Sequence, residues 1–269
     1  MLLKPSGIIS AAGGGAPAFS ETLVTVDGAT YMANPDASVA GSAFAAGSKQ
    51  YFMFVSWVPT TALTNRTLVS FDNTSCTLYT GGTNIFCHWQ DTLGGVIYDG
   101  VTTGGAITVG ERAGVFASID NRPGGKLSLL RFRANPASLF VRSIAITPTD
   151  QLLKFHETRS GTTLGCGIIG QTDGQRIQES GIQFARVAVW KDASPDVSLW
   201  TATEAANFID TTTGALVDPA TSQGYVETTL GGVRCLDLYG TAAQWNAHVD
   251  DSPSGSRWGN LEPVGGVFT

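Results

Sequence analysis

The stretch "YFMFVSWV" at residues 51–58 is an almost unbroken apolar run, rich in aromatic and β-branched side chains and closed by Pro59. It has the length of a strand and is too short for a typical helix. A strand with no polar face must be covered on both sides. That reading sets the frame: a sheet with something packed above it and something below it. Working outward, strand-length pieces recur with Gly, Asn, Asp or Pro between them. They are "TLVTVDG" (22–28), "TLVSFD" (67–72), "CTLY" (76–79), "NIFCHW" (84–89), "GVIYDG" (95–100), "AGVFASID" (113–120), "KLSLLRFR" (126–133), "SLFVRSIAIT" (138–147), "LLKFHE" (152–157), "LGCGIIG" (164–170) and "IQFARVAVW" (182–190). In "KLSLLRFR", Leu127, Leu129 and Arg131 oppose Ser128, Leu130 and Phe132. In "IQFARVAVW" the alternation places Phe184, Arg186, Ala188 and Trp190 on one face, with Ile182, Ala185, Val187 and Val189 mostly on the other. About a dozen short strands separated by turn signals predict an all-β sandwich or barrel.

Composition agrees. The chain has 269 residues and is 42% hydrophobic but only 14% charged, against about a quarter in ordinary domains. Its formal net charge is −6, and no Lys/Arg cluster offers a nucleic-acid footprint. No apolar run approaches the length of a membrane-spanning helix. Four cysteines (Cys76, Cys87, Cys166, Cys235) permit two disulfides, and Cys76 and Cys87 could sit across a hairpin; small buried thiols are the plainer reading. Cys87-His88 looks like a metal fragment, but neighbours on a strand point to opposite faces and no second pair stands at ligand spacing. "GCGIIG" (165–170) spells a phosphate-loop pattern, yet a turn follows it where that chemistry needs a helix. No cofactor is expected.

One helix is signalled: "TATEAANFID" (201–210) has Thr201 as N-cap and Glu204 three residues on, a capping box. A turn-rich tail follows, with a further strand and a short helix from Thr241. The expected division is a docking arm at 1–20, a sandwich at 21–210 and a loop-rich extension at 211–269 that packs on the sandwich or on a partner. The opening "MLLKPSGIISAAGGGAPAFS" mimics an export signal, but Pro5 and Gly7 interrupt its apolar run. The expectation is an uncleaved docking arm with Leu2, Leu3, Ile8 and Ile9 as anchors. Trp245 and Trp258, in the irregular tail, are further docking candidates.

Four pieces, in order, carry a resemblance. "LVTVDGATYMANPDAS" (23–38), "QYFMFVSWVPTT" (50–61), "TLVSFDN" (67–73) and "GIQFARVAVWKDASPD" (181–196) are similar to the opening, second, third and closing strands of the concanavalin A-like lectin/glucanase (laminin-G-like) family. The closing strand departs from the family's pattern by having Phe184-Ala185 where an acidic pair is usual. The resemblance implies a two-sheet antiparallel jelly-roll sandwich with a short helix after the closing strand. The tail, "CLDLYGTAAQWNAHVDDSPSGSRWGNLEPVGGVF" (235–268), is similar to the ends of such domains in tailed-phage virion proteins.

Glucanases of this fold need two carboxylates on one strand face, about 5 Å apart. Here no two glutamates lie within six residues of one another, and no Asp-x-Glu or Glu-x-Asp pair occurs. Catalysis is therefore not expected, although a pair assembled from separate strands would escape this test. Asp250-Asp251 offers oxygen ligands of the kind calcium takes, but a solvated acidic turn explains it as well. Sugar binding asks for less: an aromatic ring for the apolar C–H face and polar side chains for the hydroxyls. The stretch "HWQDTLGGVIYDG" (88–100) supplies Trp89, Gln90, Asp91, Tyr98 and Asp99 as candidates. The expectation is a structural or adhesion component at the surface of a phage or phage-like particle, made in the bacterial cytoplasm without a cleaved signal. Its expected partners are other virion proteins, further copies of itself and a host glycan. A secreted carbohydrate-binding protein and a polysaccharide hydrolase or lyase on the same fold are the alternatives.

Overall fold

A computed structural model describes residues 19–27, 31–33, 47–62, 65–71, 76–81, 84–91, 97–102, 107–134, 137–153, 167–168, 180–246, 262–264 and 267–269. The expected anchors Leu2, Leu3, Ile8 and Ile9, together with Trp258 and Asp250-Asp251, lie outside the described residues. The strands are β1 (Val24–Asp27), β2 (Tyr31–Ala33), β3 (Gln50–Pro59), β4 (Asn65–Phe71), β5 (Cys76–Gly81), β6 (Asn84–Gln90), β7 (Ile97–Thr102), β8 (Ala113–Asp120), β9 (Lys126–Ala134), β10 (Ala137–Ala145), β11 (Gly167–Ile168), β12 (Ser180–Lys191), β13 (Val233–Tyr239) and β14 (Glu262–Val264). Among the described residues three short α-helices, α1 (Ala202–Ala205), α2 (Pro219–Gly224) and α3 (Ala242–Asn246), fall in the last quarter, and a π-helical turn (Tyr225–Thr229) continues α2.

The fold is an all-β sandwich of the jelly-roll class. A seven-stranded sheet runs β1-β12-β3-β8-β9-β10, and β13 joins it beside β12. A four-stranded meander, β4-β5-β6-β7, forms the second layer, and β11-β2-β14 makes a small third sheet. Every described pairing is antiparallel.

The central strand behaves as its sequence requires. Tyr51, Met53, Val55 and Trp57 face the meander and pack with Leu68, Leu78, Ile85 and Trp89. Phe52 and Phe54 face the other way, into a second core closed by Val197, Trp200, Ala205, Phe208, Ile209, Leu216 and Val226. That second core is aromatic at its centre: Phe208 meets Phe54, Phe116 and Trp200 at ring-centroid distances of 5.1, 5.2 and 5.6 Å. The expected capping box forms. Thr203 N–H donates to Thr201 Oγ1, and Thr201 N–H donates to Glu204 at 2.7 Å.

Two expectations change. First, the extension beyond 211 does more than pack on the sandwich: it supplies one of its strands. β13 pairs with β12 from Arg186↔Tyr239 to Lys191↔Val233, so the tail completes the large sheet. A buried ion pair fastens it: Arg186 Nε and Nη2 donate to Asp237 Oδ1 and Oδ2 at 2.7 and 2.6 Å, both side chains fully enclosed. Second, the alternation in β12 is broken. Its register against β3 passes from Phe184↔Trp57 to Arg186↔Ser56, leaving Ala185 as the extra residue of a bulge. Ile182, Phe184, Val187 and Val189 therefore share the meander side, and Ala185, Ala188 and Trp190 the aromatic side. Cys87 and Cys235 are buried cysteines, and Cys76 lies opposite Trp89 in register, not opposite Cys87.

Candidate functional site

The stretch 88–100 forms the neighbouring strands β6 and β7, as its turn signals imply, with Trp89 opposite Tyr98 and His88 opposite Asp99. Burial along β6 alternates, so Ile85, Cys87 and Trp89 point inward while Phe86, His88 and Gln90 are half-buried. Trp89 is fully enclosed and stacks on Tyr51 at 6.1 Å. Tyr98 is 4% exposed, and its hydroxyl donates to Asn121 Oδ1 at 2.7 Å. Asp91 is also buried and accepts from Thr149 Oγ1 at 2.8 Å. The expected sugar platform is thus corrected: its two rings belong to the inner face of the meander, because the strand period puts them there. Asp99 keeps only its register position, since its side chain lies outside the described residues. Trp245 is corrected in the same way; it is enclosed and packs edge-on against Phe268 at 5.5 Å, closing the sandwich rather than docking a partner.

These inward groups do have a use. Asn121 Nδ2 donates to Thr149 Oγ1 at 3.1 Å and to Gln151 O at 2.8 Å, and Thr149 N–H donates to Asn121 Oδ1 at 3.1 Å. A buried network from Asp91 through Thr149 and Asn121 to Tyr98 holds residues 147–151 against one end of the sandwich. That end is where polar side chains collect on the outside.

A cleft of about 160 Å³ opens there, lined by Ser118, Asp120, Gly124, Gly125, Lys126, Ser128, Ser194, Pro195 and Asp196. Two turns build it. The β8–β9 turn, "DNRPGGK" (120–126), closes with Gly125 N–H donating to Arg122 O at 2.8 Å. A Cβ on Gly125 would stand 2.0 Å from Asp120 O, so only glycine fits. The loop after β12, "DASPD" (192–196), leaves the sheet through Asp192 in the left-handed region, φ 61°. Ser48 Oγ donates to Asp192 Oδ1 at 2.8 Å and holds that corner.

The groups are ordered by one another. Arg122 Nε and Nη2 grip Asp120 at 2.9 and 2.7 Å; Gln50 Nε2 and Ser194 Oγ donate to the same carboxylate at 3.1 and 3.3 Å. Lys126 Nζ donates to Asp196 Oδ2 at 2.9 Å. Ser128 Oγ donates to Pro195 O at 3.3 Å and accepts from Val197 N–H at 3.1 Å. Partial burial pushes the Asp120 carboxyl up, but the hydrogen bonds and charge of Arg122, with Ser194, outweigh it and hold it below the ordinary carboxylate value. Asp196 follows the same course: burial raises it, and Ser198 and Lys126 bring it below its ordinary value.

The cleft therefore presents fixed carboxylate acceptors, an ammonium donor and two-way hydroxyls. Its volume is that of about five waters and is below the usual range for a pocket enclosing a whole ligand. It suits one polar edge of a larger molecule. Carboxylates held ionised accept hydrogen bonds well; a general acid needs the opposite shift. Sequence reasoning missed this site because its residues come from turns far apart in the chain. The visible signals were the charged, Gly- and Pro-rich turns "DNRPGGK" and "KDASPD".

No family model matches the chain, and no curated protein matches it in sequence. Solved structures do. The chain is similar to the CBM40 of the Ruminococcus gnavus IT-sialidase bound to α2,3-sialyllactose, with TM-score 0.42 and 15% identity over 67% of this chain and 93% of that one. It is similar to the enzymatically active domain of bacteriophage CBA120 tailspike protein 2, with TM-score 0.39 and 16% identity over 69% of this chain and 30% of that one. It is also similar to domains LG4-5 of the mouse laminin α1 chain, with TM-score 0.39 and 11% identity over 65% and 43% of the two chains.

Proposed function

We propose that this chain is a carbohydrate-binding structural or adhesion component of a tailed phage or phage-like particle, and that the rim cleft takes the hydroxyl edge of a host surface polysaccharide. The cleft carries the reading. A sugar edge needs alternating acceptors and donors at fixed spacing, and Asp120, Ser194, Lys126 and Asp196 supply both kinds, already positioned by Arg122 and Gln50. The particle context rests on the resemblance of residues 235–268. Its role would be attachment without bond cleavage, since the two cleft carboxylates are tuned as acceptors. A shallow site of this kind binds weakly alone and gains strength when many copies act together.

The test is a glycan array with the full chain, followed by calorimetry on each hit. Asp196→Asn and Lys126→Ala alter one half-buried and one exposed cleft group, neither of them part of the two cores. Loss of binding in both is the expected result, with only a small fall in melting temperature as the Lys126–Asp196 pair is removed. Undiminished binding by both variants refutes the cleft. Release of reducing ends or unsaturated sugars from a bound polysaccharide refutes the non-catalytic role.

A further inference from the structure

Among the described residues the large sheet ends at β10. β10 runs nine residues in unbroken register with β9, from Ala137↔Ala134 to Ala145↔Lys126. Among the described residues no strand pairs with its other side. Alternate residues of an edge strand turn their N–H and C=O groups outward, a template for another strand. Native edges are commonly blunted by proline, lysine, a bulge or short length. "ASLFVRSIA" has none of these, and its single charge is Arg142. The surroundings are also apolar: Val141 is 44% exposed, and Leu199, 75% exposed, sits on the 3-10 turn (Val197–Leu199) that packs against β10.

We propose that β10 is a self-association edge, through which two copies pair antiparallel about a two-fold axis at Val141. The register follows from the geometry. A two-fold axis normal to the sheet keeps each face with its like, so a residue must sit on the axis. Val141 is the midpoint of β10, and centring there overlaps the whole strand. Val141 then covers Val141 of the second copy, Leu139 meets Ser143, and Phe140 lies opposite Arg142. The Phe140 ring already attracts cations: the Arg131 and Arg133 guanidinium carbons stand 5.4 and 5.7 Å from its centroid. The second copy's Arg142 brings a third to its open side. Centring on Arg142 instead would oppose two like charges, which is unfavourable. Pairing continues one large sheet into the next and places a rim cleft at each end. This inference stands independently of what the cleft binds.

Sedimentation velocity over a concentration series, on the full chain, tests it. The expected species has twice the 28.1 kDa chain mass. Val141→Lys sets two ammonium groups on the axis and should return the mass to 28.1 kDa with an unchanged thermal melt. Val141→Cys supplies a second, positive test. Residues directly opposite in antiparallel strands have Cα atoms about 4.5–5.5 Å apart, inside the disulfide window. Mild oxidation should therefore give a cross-linked dimer, whereas Val233→Cys, exposed on β13 beyond the far side of β12, should not. A monomer throughout the series, a dimer indifferent to Val141→Lys, or cross-linking no faster at position 141 than at 233 would each overturn the proposal.

Discussion

The tail should be separable from the sandwich by one buried substitution, Arg186→Met. Arg186 and Asp237 are both 0% exposed and share two charge-assisted hydrogen bonds of 2.7 and 2.6 Å. Methionine preserves much of the side-chain volume but leaves the Asp237 carboxylate enclosed without its main counter-charge. Removing one partner of such a pair costs about 3–5 kcal/mol. Two groups soften the loss: Gln223 Nε2 still donates to Asp237 Oδ2 at 3.0 Å, and Arg234 Nη1 lies 4.0 Å from the same oxygen. Against that, the guanidinium also sits 5.9, 5.7 and 5.7 Å from the rings of Phe54, Trp190 and Tyr239, contacts that methionine replaces only in part. The low end of the range, about 3 kcal/mol, is the expected loss. For a chain of this size that is a fall in melting temperature of roughly 6–12 °C. Urea unfolding at neutral pH measures it. The double variant Arg186→Met/Asp237→Leu should recover part of the loss, because no buried charge is then unpaired. A single-variant cost under about 1 kcal/mol, or a double variant whose cost is the plain sum of the two singles, would refute this account of the tail's attachment.

Three further outcomes are expected. Gly181→Ala should destabilise the start of β12, since Gly181 has φ 90° and a Cβ there would stand 2.0 Å from Thr61 Oγ1; equilibrium unfolding should show a loss of about 1–3 kcal/mol. Stability should fall with acid: Asp120, Asp196 and Asp210 are all held below the ordinary 3.8, so their contribution is complete above that value and is lost as pH drops through their folded values. Thermal melts from pH 6 to pH 2 should show it, and a flat profile would contradict the rim's ion pairs. Burial pushes the Cys235 thiol up to about 12, so alkylation at pH 8 with peptide mapping should leave it unlabelled until the chain unfolds.

How much was legible beforehand is best seen in particular strands. "YFMFVSWV" alone determined that β3 lies between two layers, because seven apolar residues in a run of eight, broken only by Ser56, leave no face for water. The capping box at Thr201 and Glu204 was equally local, and it formed as read. These features depend on residues within one turn or one strand, where period and hydrogen-bonding reach do the deciding. In β12 the same logic failed at one residue. Phe184, Ala185, Val187 and Val189 are all apolar, so nothing in the letters marks Ala185 as the bulge that moves Phe184 to the other face. The neighbouring strand's register decides that. Trp89 failed for a related reason: an aromatic flanked by polar residues suits a binding platform and an inward strand position equally, and only the meander packed on the large sheet fixes which it is. The rim cleft lay furthest from the sequence. Asp120 and Ser194 are 74 residues apart, and Lys126 and Asp196 are 70 apart, brought together because β8, β9 and β12 end at the same edge of the sandwich. Local periodicity therefore determined the strands and their class. Which side chains share a surface was decided by strand register and sheet order, long-range properties that no short stretch contains.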